Sequence, residues 1–428
     1  MKMQNDTGYK VNNLLYAAGP DMIGTIRTGI TLTEPVNAQV LEGAVRKASR
    51  RFPYFSVKLV QHGSKYRMER NRLPFVISPD GRAVILGTEE SNYHLFAFAY
   101  DGCRLFVDTS HFITDGNGKF PFLKTILYYY LTKLHPDEEF DTKTIPLSGS
   151  EVPDDEADDA PYPDELLSVD PLDMIPRPES VFLLRDQKNG YGHMEEWTSF
   201  VFRIRQDELM SFASSLDGSP ATFIASLMYR SITDCHPENL LPLVCGMQHQ
   251  FRKALGNPVS HLCHVNVVPI IYPDRLKKWD IERLNTIARG QLIIGANIEN
   301  DILTINEHIR NEKQIQGMTL SRKRDYMRKA ILNGIGTNTF EVSYTGRVPW
   351  SRLDKYITNV VPYFDLTVSG GLSIEIFAVR DVFSVNIMQR NGNRQYVDRF
   401  AALLEENGVV YTAEKPEHFQ LSGFQLPN

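Results

Sequence analysis

The fold of this 428-residue chain is decided by the stretch Arg104–Leu131, which reads RLFVDTSHFITDGNGKFPFLKTILYYYL. In an extended run, Leu105, Val107, Thr109 and His111 lie on one face of a strand, because side chains alternate. The glycines after the histidine give the backbone freedom to turn. A core-facing helix is predicted next, because apolar residues recur three and four positions apart. These apolar residues are Leu123, Ile126, Leu127, Tyr130 and Leu131.

His111 therefore lies at a strand-to-helix junction, with Asp115 four residues further on. A histidine at the lip of a sheet is well placed for acid–base catalysis. The structural alternative is that Asp115 only caps the following helix by accepting hydrogen bonds from its first amide groups. The residues alone leave both interpretations open.

Strands and helices on either side follow one another without regular alternation. This order predicts an α/β fold of the mixed α+β sandwich type rather than a doubly wound parallel sheet. The predicted strands are Phe55–Val60, Lys65–Arg70, Tyr93–Tyr100, Arg104–Ser110, Thr198–Ile204, Leu241–Met247, Leu262–Tyr272, Thr339–Tyr344, Asp365–Ser369, Leu372–Phe377 and Val382–Gln389. Helices are predicted after Pro35 through Ala48, over Asp207–Leu216, after Ser219-Pro220, within Ile281–Gln316, and over Arg324–Leu332 and Tyr396–Glu406.

The chain is predicted to contain two halves, residues 1–160 and 180–428, joined by an acidic, proline-rich linker over 136–178. Periodicity is absent from this linker, which carries the acidic residues Asp154-Asp155-Glu156 and Asp158-Asp159. Carboxylates in such a loop are expected to be solvated rather than to bind a cation.

Bulk composition narrows the class of protein. A net charge of -6 argues against a nucleic-acid partner. Four cysteines without a Cys-x-x-Cys pair indicate reduced thiols. Because no signal-like segment and no run of about 18 apolar residues occurs, we expect no membrane span and a cytoplasmic location.

Common nucleotide-binding, hydrolase and metalloprotease motifs are missing from the sequence. One cluster has the residue types of a zinc site. On a strand, however, Cys263 and His264 point to opposite faces, so no metal site is predicted. The cluster comprises Cys245, His249, His261, Cys263 and His264.

The run His111-Phe112-Ile113-Thr114-Asp115-Gly116 resembles the His-x-x-x-Asp-Gly signature of a large acyltransferase superfamily. Its members include chloramphenicol acetyltransferase, alcohol acetyltransferases, plant BAHD enzymes, polyketide-associated acyltransferases and nonribosomal peptide condensation domains. Ser110 precedes His111, as in the single-histidine members. The plant-type Asp-Phe-Gly-Trp-Gly segment is absent, and the chain looks closest to bacterial alcohol acetyltransferase-like proteins.

Further segments resemble the family in the same order along the chain. They are Leu41–Phe52, ending Arg50-Arg51-Phe52-Pro53; Gln248-His249-Gln250-Phe251-Arg252 with Gly256-Asn257-Pro258; and Val342-Ser343-Tyr344-Thr345-Gly346-Arg347.

The resemblance implies two chloramphenicol acetyltransferase-like halves with a tunnel between them and His111 at its midpoint. His111 would be the general base, and Asp115 would anchor the loop by pairing with Arg252. Gly116 would let the backbone pass close to the tunnel. Ser343 or Thr345 is the candidate donor to the oxyanion.

The implied function is direct transfer of an acyl group from a thioester, preferably acyl-CoA, to a hydroxyl of a small-molecule acceptor. Coenzyme A thioester, or a phosphopantetheine carrier, would be a co-substrate, with no permanently bound cofactor. One alternative is a condensation enzyme that uses an acyl carrier protein and forms amides. Another is a noncatalytic homologue that binds an acyl or carrier partner.

Overall fold

The computed structural model describes residues 13–19, 22–157, 176–184, 197–215, 218–335, 337–366, 371–390 and 394–427. The helices are α1 (Ala38–Ala48), α2 (Phe120–Leu134), α3 (Gln206–Ser215), α4 (Pro220–Cys235), α5 (Ile281–Gly295), α6 (Ile298–Ile315), α7 (Leu320–Ile335) and α8 (Gln395–Glu406). The strands in the N-terminal part are β1 (Thr25–Leu32), β2 (Val57–His62), β3 (Lys65–Arg70), β4 (Ile77–Ser78), β5 (Phe96–Asp101) and β6 (Arg104–Ser110). Those that follow are β7 (Trp197–Arg205), β8 (Leu243–Gln250), β9 (Val265–Tyr272), β10 (Phe340–Arg347), β11 (Ile357–Tyr363), β12 (Leu372–Val379), β13 (Val382–Gln389), β14 (Tyr411–Ala413) and β15 (Glu417–Phe419).

Two main sheets and a separate hairpin make up the β-structure. The first sheet has the order β11-β1-β6-β5-β4, and the second has the order β14-β7-β13-β12-β10-β8-β9, with β15 also pairing β7. Strands β2 and β3 form the hairpin. Most neighbours are antiparallel, while β10 runs parallel to both β8 and β12, and β4 runs parallel to β5. This mixed α/β architecture confirms the predicted fold class.

Local sequence explains where the principal helices begin. The Asn37 side chain accepts a hydrogen bond from the Val40 amide and caps α1. At α4, Ser219 and Thr222 form a reciprocal capping box with Pro220 in the first turn. The segment Ile281–Gln316, predicted to be largely helical, contains α5 and α6, with Asn297 capping α6.

Strand β11 is the main departure from the predicted elements. The sequence pattern placed a strand at Asp365–Ser369, but the strand lies earlier, at Ile357–Tyr363, where it pairs antiparallel with β1 of the first sheet. Asp365 and Leu366 lie outside any strand, and residues 367–370 lie outside the described part of the chain. The sequence pattern did not indicate this strand because it contains the polar pair Thr358-Asn359 and Pro362. Proline argues against a strand in a sequence pattern, but it is tolerated here because β11 lies at the edge of its sheet.

No helix in the described ranges is long and apolar enough to cross a lipid bilayer.

Candidate active site

A cavity of about 70 Å³ is lined by residues of both sheets and of the loop after β6. It brings together four of the residues that the sequence singled out: His111 and Gly116 from the first half, and Ser343 and Thr345 from β10. The cavity is completed by Ile26, Thr28, Lys119, Phe120, Gln248, Val265, Pro362, Phe364 and Glu375.

His111 follows the last residue of β6, and its imidazole is held in one orientation. Its backbone amide donates to the Gly24 carbonyl at 2.7 Å. Its Nδ1 lies 3.2 Å from the Thr114 carbonyl oxygen. Because a carbonyl only accepts, this bond assigns the hydrogen to Nδ1 and leaves a lone pair on Nε2. Phe364 packs edge-on against the ring, with 5.7 Å between ring centroids.

Burial lowers the pKa of His111 below its ordinary value of 6.5. Removing the imidazolium from water disfavours the charged form, and the neighbouring Lys119 acts in the same direction, although Asp115 partly opposes the shift. His111 is therefore neutral at pH 7, which is the state that a general base requires.

Both carboxylate oxygens of Asp115 are occupied by protein groups. Oδ1 accepts from the Gly118 amide at 2.8 Å. Oδ2 accepts from Arg252 Nη2 at 2.7 Å and from the His264 amide at 3.0 Å. Asp115 and Arg252 are both buried, and they join the motif loop to the second half of the chain.

Arg252 uses its remaining donors on residues close to it in sequence, and its Nη1 donates to Gln250 Oε1 at 3.0 Å. Nε donates to the Ser260 carbonyl at 2.8 Å, and Nη2 also donates to the Leu262 carbonyl at 2.6 Å. The guanidinium is thereby fixed by backbone on one side and by Asp115 on the other. Its rigid fork of donors suits this arrangement better than a lysine would.

The segment Ser260–His264 packs directly on the motif loop, and the strand assigned to it from sequence was wrong at its start. Strand β9 begins at Val265 rather than at Leu262. Cys263 Sγ lies 3.4 Å from His111 Nδ1, while His264 Nε2 lies 3.0 Å from Ser260 Oγ. Within the described ranges, no group of three or more His, Cys, Asp or Glu side chains is arranged to hold a metal ion.

The expectation that the acidic residues of the linker are solvated was wrong for Glu156, while Asp158 and Asp159 lie outside the described residues. Asp154 and Asp155 are exposed, but Glu156 is buried and accepts from both terminal nitrogens of Arg51, at 2.6 and 2.7 Å. Its backbone carbonyl accepts from the His261 amide at 2.7 Å. The guanidinium of Arg51, just after α1, thus explains why the carboxylate of Glu156 is buried. The backbone of Glu156 connects the linker to the Ser260–His264 segment.

Two charged residues of the cavity were missed from sequence. Burial lowers the pKa of Lys119 to about 8 and raises the pKa of Glu375 to about 7. Glu375 is the register partner of Ser343 across the parallel pair β10–β12, so the two side chains share a face. A single acid in the mainly apolar strand β12 was the available signal for Glu375. Lys119 lies eight residues after His111, within the decisive stretch itself.

Comparison with known proteins places this geometry in a known fold. No protein-family model and no curated protein matches the sequence. Among solved structures, the condensation domain from Monacolin K polyketide synthase MokA is similar, with a TM-score of 0.57 and 10% identity over 94% of this chain and 96% of that chain. The chain has the condensation-domain fold.

Two further structures with this fold cover nearly the whole of both chains. Polyketide synthase associated protein 5 from Mycobacterium tuberculosis has a TM-score of 0.60 and 10% identity, over 94% of this chain and 98% of that chain. F. graminearum TRI101 complexed with coenzyme A and deoxynivalenol has a TM-score of 0.60 and 11% identity, over 94% of this chain and 99% of that chain. These structures confirm the predicted condensation-domain-like fold.

Proposed function

We propose that this condensation-fold protein is an acyltransferase that moves an acyl group from a thioester directly to a hydroxyl of a small acceptor, with His111 as general base. The observation that carries the proposal is the orientation of His111 at the cavity. Its Nδ1 is held by the Thr114 carbonyl, and its Nε2 is left with a lone pair.

In the proposed reaction, Nε2 of His111 takes the proton of the acceptor hydroxyl as its oxygen attacks the thioester carbonyl carbon. The tetrahedral intermediate collapses with cleavage of the carbon–sulfur bond. The proton on Nε2 then passes to the leaving thiolate, which gives the ester and a free thiol. Such proton transfer contributes about 10² to 10⁴ in rate.

Asp115, Gly116 and Arg252 support this step through the loop. Because the carboxylate of Asp115 is bonded to Gly118, His264 and Arg252, we assign it an anchoring role rather than contact with substrate. Gly116 lines the cavity with backbone only, which leaves room beside the imidazole.

Ser343 and Thr345 are the proposed donors to the oxyanion, because both lie on β10 facing the same cavity as His111. A correctly placed donor of this kind is commonly worth about 10² to 10³ in turnover. Coenzyme A is the proposed carrier of the acyl group, as TRI101 was solved with coenzyme A bound. The same residues would suit a donor on a carrier protein or an amine acceptor, so the test includes both.

The decisive test is release of free thiol from a series of acyl-CoAs and acyl-pantetheines, with alcohols and amines as acceptors. We expect His111→Ala to lower kcat by at least about 10² while the protein stays folded. His62→Ala, in the exposed hairpin β2–β3, is the matched control and should keep full activity. Full transfer activity in His111→Ala would overturn the assignment, and absence of thiol release with every donor would favour a noncatalytic binding role.

A further inference from the structure

Lys119 is a buried cation that has no direct partner among the described residues, and it lines the cavity that contains His111. Only 3% of the surface of Lys119 is exposed to solvent. Within the part of the chain that the structure describes, Nζ forms no hydrogen bond and no ion pair. An ammonium group withdrawn from water in this way is destabilised unless an anionic or strongly polar group faces it.

None of the three nearby carboxylates, those of Asp108, Asp115 and Glu375, forms an ion pair with the ammonium group of Lys119. Asp108 is held by Arg27 through two hydrogen bonds of 2.7 and 2.8 Å. Asp115 is committed to Arg252 and to two backbone amides. Glu375 lies on the wall of the cavity that the second sheet provides, where it attracts Lys119 without forming an ion pair with it.

A second unsatisfied group lines the same cavity. The hydroxyl of Thr28, on β1, is buried and has no hydrogen-bond partner among the described residues. The wall formed by the first half therefore contains two residues, Lys119 and Thr28, whose side-chain donors have no partner among the described residues. With a pKa of about 8, Lys119 is mostly protonated at pH 7. Glu375, with a pKa of about 7, can take up a proton when negative charge enters.

We propose that Lys119, with Thr28, binds a carboxylate carried by the substrate within a few bonds of the reacting centre. This inference rests on the proposed acyl transfer and names the class of substrate for it. The carboxylate can belong to the acceptor, as in a hydroxy acid, or to the acyl group, as in a dicarboxylic acyl thioester. In both cases it would occupy the space between Lys119 and Glu375.

The acceptor arm of the test compares short hydroxy acids, such as 3-hydroxybutyrate, with their methyl esters, using acetyl-CoA as donor. The donor arm compares malonyl-CoA with acetyl-CoA, using a neutral alcohol as acceptor. A charge-assisted hydrogen bond predicts that the acid is preferred by about tenfold to hundredfold in kcat/KM, mainly through KM. A preference in one arm identifies the source of the carboxylate.

Lys119→Met should abolish that preference, and Lys119→Arg should keep part of it. Lys124→Met is the matched control, because Lys124 lies in helix α2, which begins directly after Lys119, but bonds to the Thr144 and Pro349 carbonyls rather than lining the cavity. The proposal is overturned if no acid is preferred in either arm. It is equally overturned if Lys119→Met lowers kcat alike for acids and esters, since that pattern would assign Lys119 to the oxyanion.

A binding measurement separates this inference from the proposed function. If the acceptor arm shows the preference, we expect short hydroxy acids, but not their methyl esters, to raise the Tm of the wild-type protein and of His111→Ala, and not of Lys119→Met. If the donor arm shows it, malonyl-CoA should raise the Tm of the same two proteins more than acetyl-CoA does, and Lys119→Met should abolish the difference. Carboxylate binding without transfer by any donor would overturn the function and keep the anion site. Transfer without any carboxylate dependence would overturn the anion site alone.

Discussion

At the scale of the residue, two backbone carbonyls determine what His111 can do. The Gly24 carbonyl holds the backbone of His111 beside β1, and the Thr114 carbonyl holds Nδ1. No carboxylate accepts from the imidazole among the described residues, because the Asp115 oxygens are bonded elsewhere. The basicity of Nε2 is therefore set mainly by burial and by the nearby charges of Asp115 and Lys119.

The pH profile should show this directly. A base with a lowered pKa stays neutral until the pH falls below that pKa, so kcat/KM should decline only below pH 6.5 on the acidic side. Because Lys119 contributes to the lowering, Lys119→Met should move the acidic limb to higher pH. Rates measured from pH 4.5 to 8 test both expectations.

Glu375→Gln is the control for this pH profile, because Glu375 has a pKa of about 7 and titrates in the same pH range. The limb that persists in Glu375→Gln belongs to His111. A limb above pH 6.5 in that variant would contradict the assignment of a depressed histidine pKa.

At the scale of the element, the loop after β6 keeps its shape because the Ser260–His264 segment packs on it. The Thr114 hydroxyl donates to the His261 carbonyl at 2.6 Å. Gly118 lies against the same carbonyl, and a Cβ added there would be 2.2 Å from the oxygen. At Gly116, an added Cβ would make an ordinary 3.5 Å contact with Thr345. The two glycines of the loop therefore have different reasons to be glycine.

Gly118→Ala should destabilise the protein by about 1 to 3 kcal/mol, because the new methyl group overlaps backbone that cannot move aside easily. Gly116→Ala is the matched control and should unfold at nearly the same urea concentration as the wild type, whatever happens to its activity. Urea unfolding followed by tryptophan fluorescence gives both values. Equal midpoints for the two variants would show that the 260–264 segment is not packed as described.

At the scale of the whole molecule, the two halves share structure. Strand β11 completes the first sheet from the second half of the sequence, and the Asn386 side chain of β13 donates to the Pro362 carbonyl at 2.8 Å. The first hydrophobic core also takes in Met327, Trp350 and Phe424. The halves 1–160 and 180–428, which remain a prediction as domains, are therefore not expected to fold independently.

Residues 1–160 expressed alone should fail to fold cooperatively, because β1 would expose a hydrogen-bonding edge and the core would lack its later residues. Adding residues 350–366 through a flexible linker should improve solubility, as β11 then covers that edge. Gel filtration and urea unfolding distinguish the two outcomes. A monomeric 1–160 fragment with a sharp unfolding transition would contradict this interdependence.

The sequence by itself determined the elements whose signals are local. The strand and helix flanking His111 follow from periods of two and 3.6 residues, and the ordered motifs indicated the fold and the arginine that contacts Asp115. Such signals lie within one segment or repeat a known order, so no coordinates are needed to recognise them.

Only the tertiary structure decided which distant groups share one small volume. Lys119, Thr28 and Glu375 come from three separate segments, and none has a local pattern that marks it for a cavity. Glu156 is buried because Arg51 lies beside it, and Cys263 lies beside His111 in the segment that precedes β9. The reason is physical: burial and the charge of neighbours set the state of each group, and both depend on contacts between residues far apart in sequence.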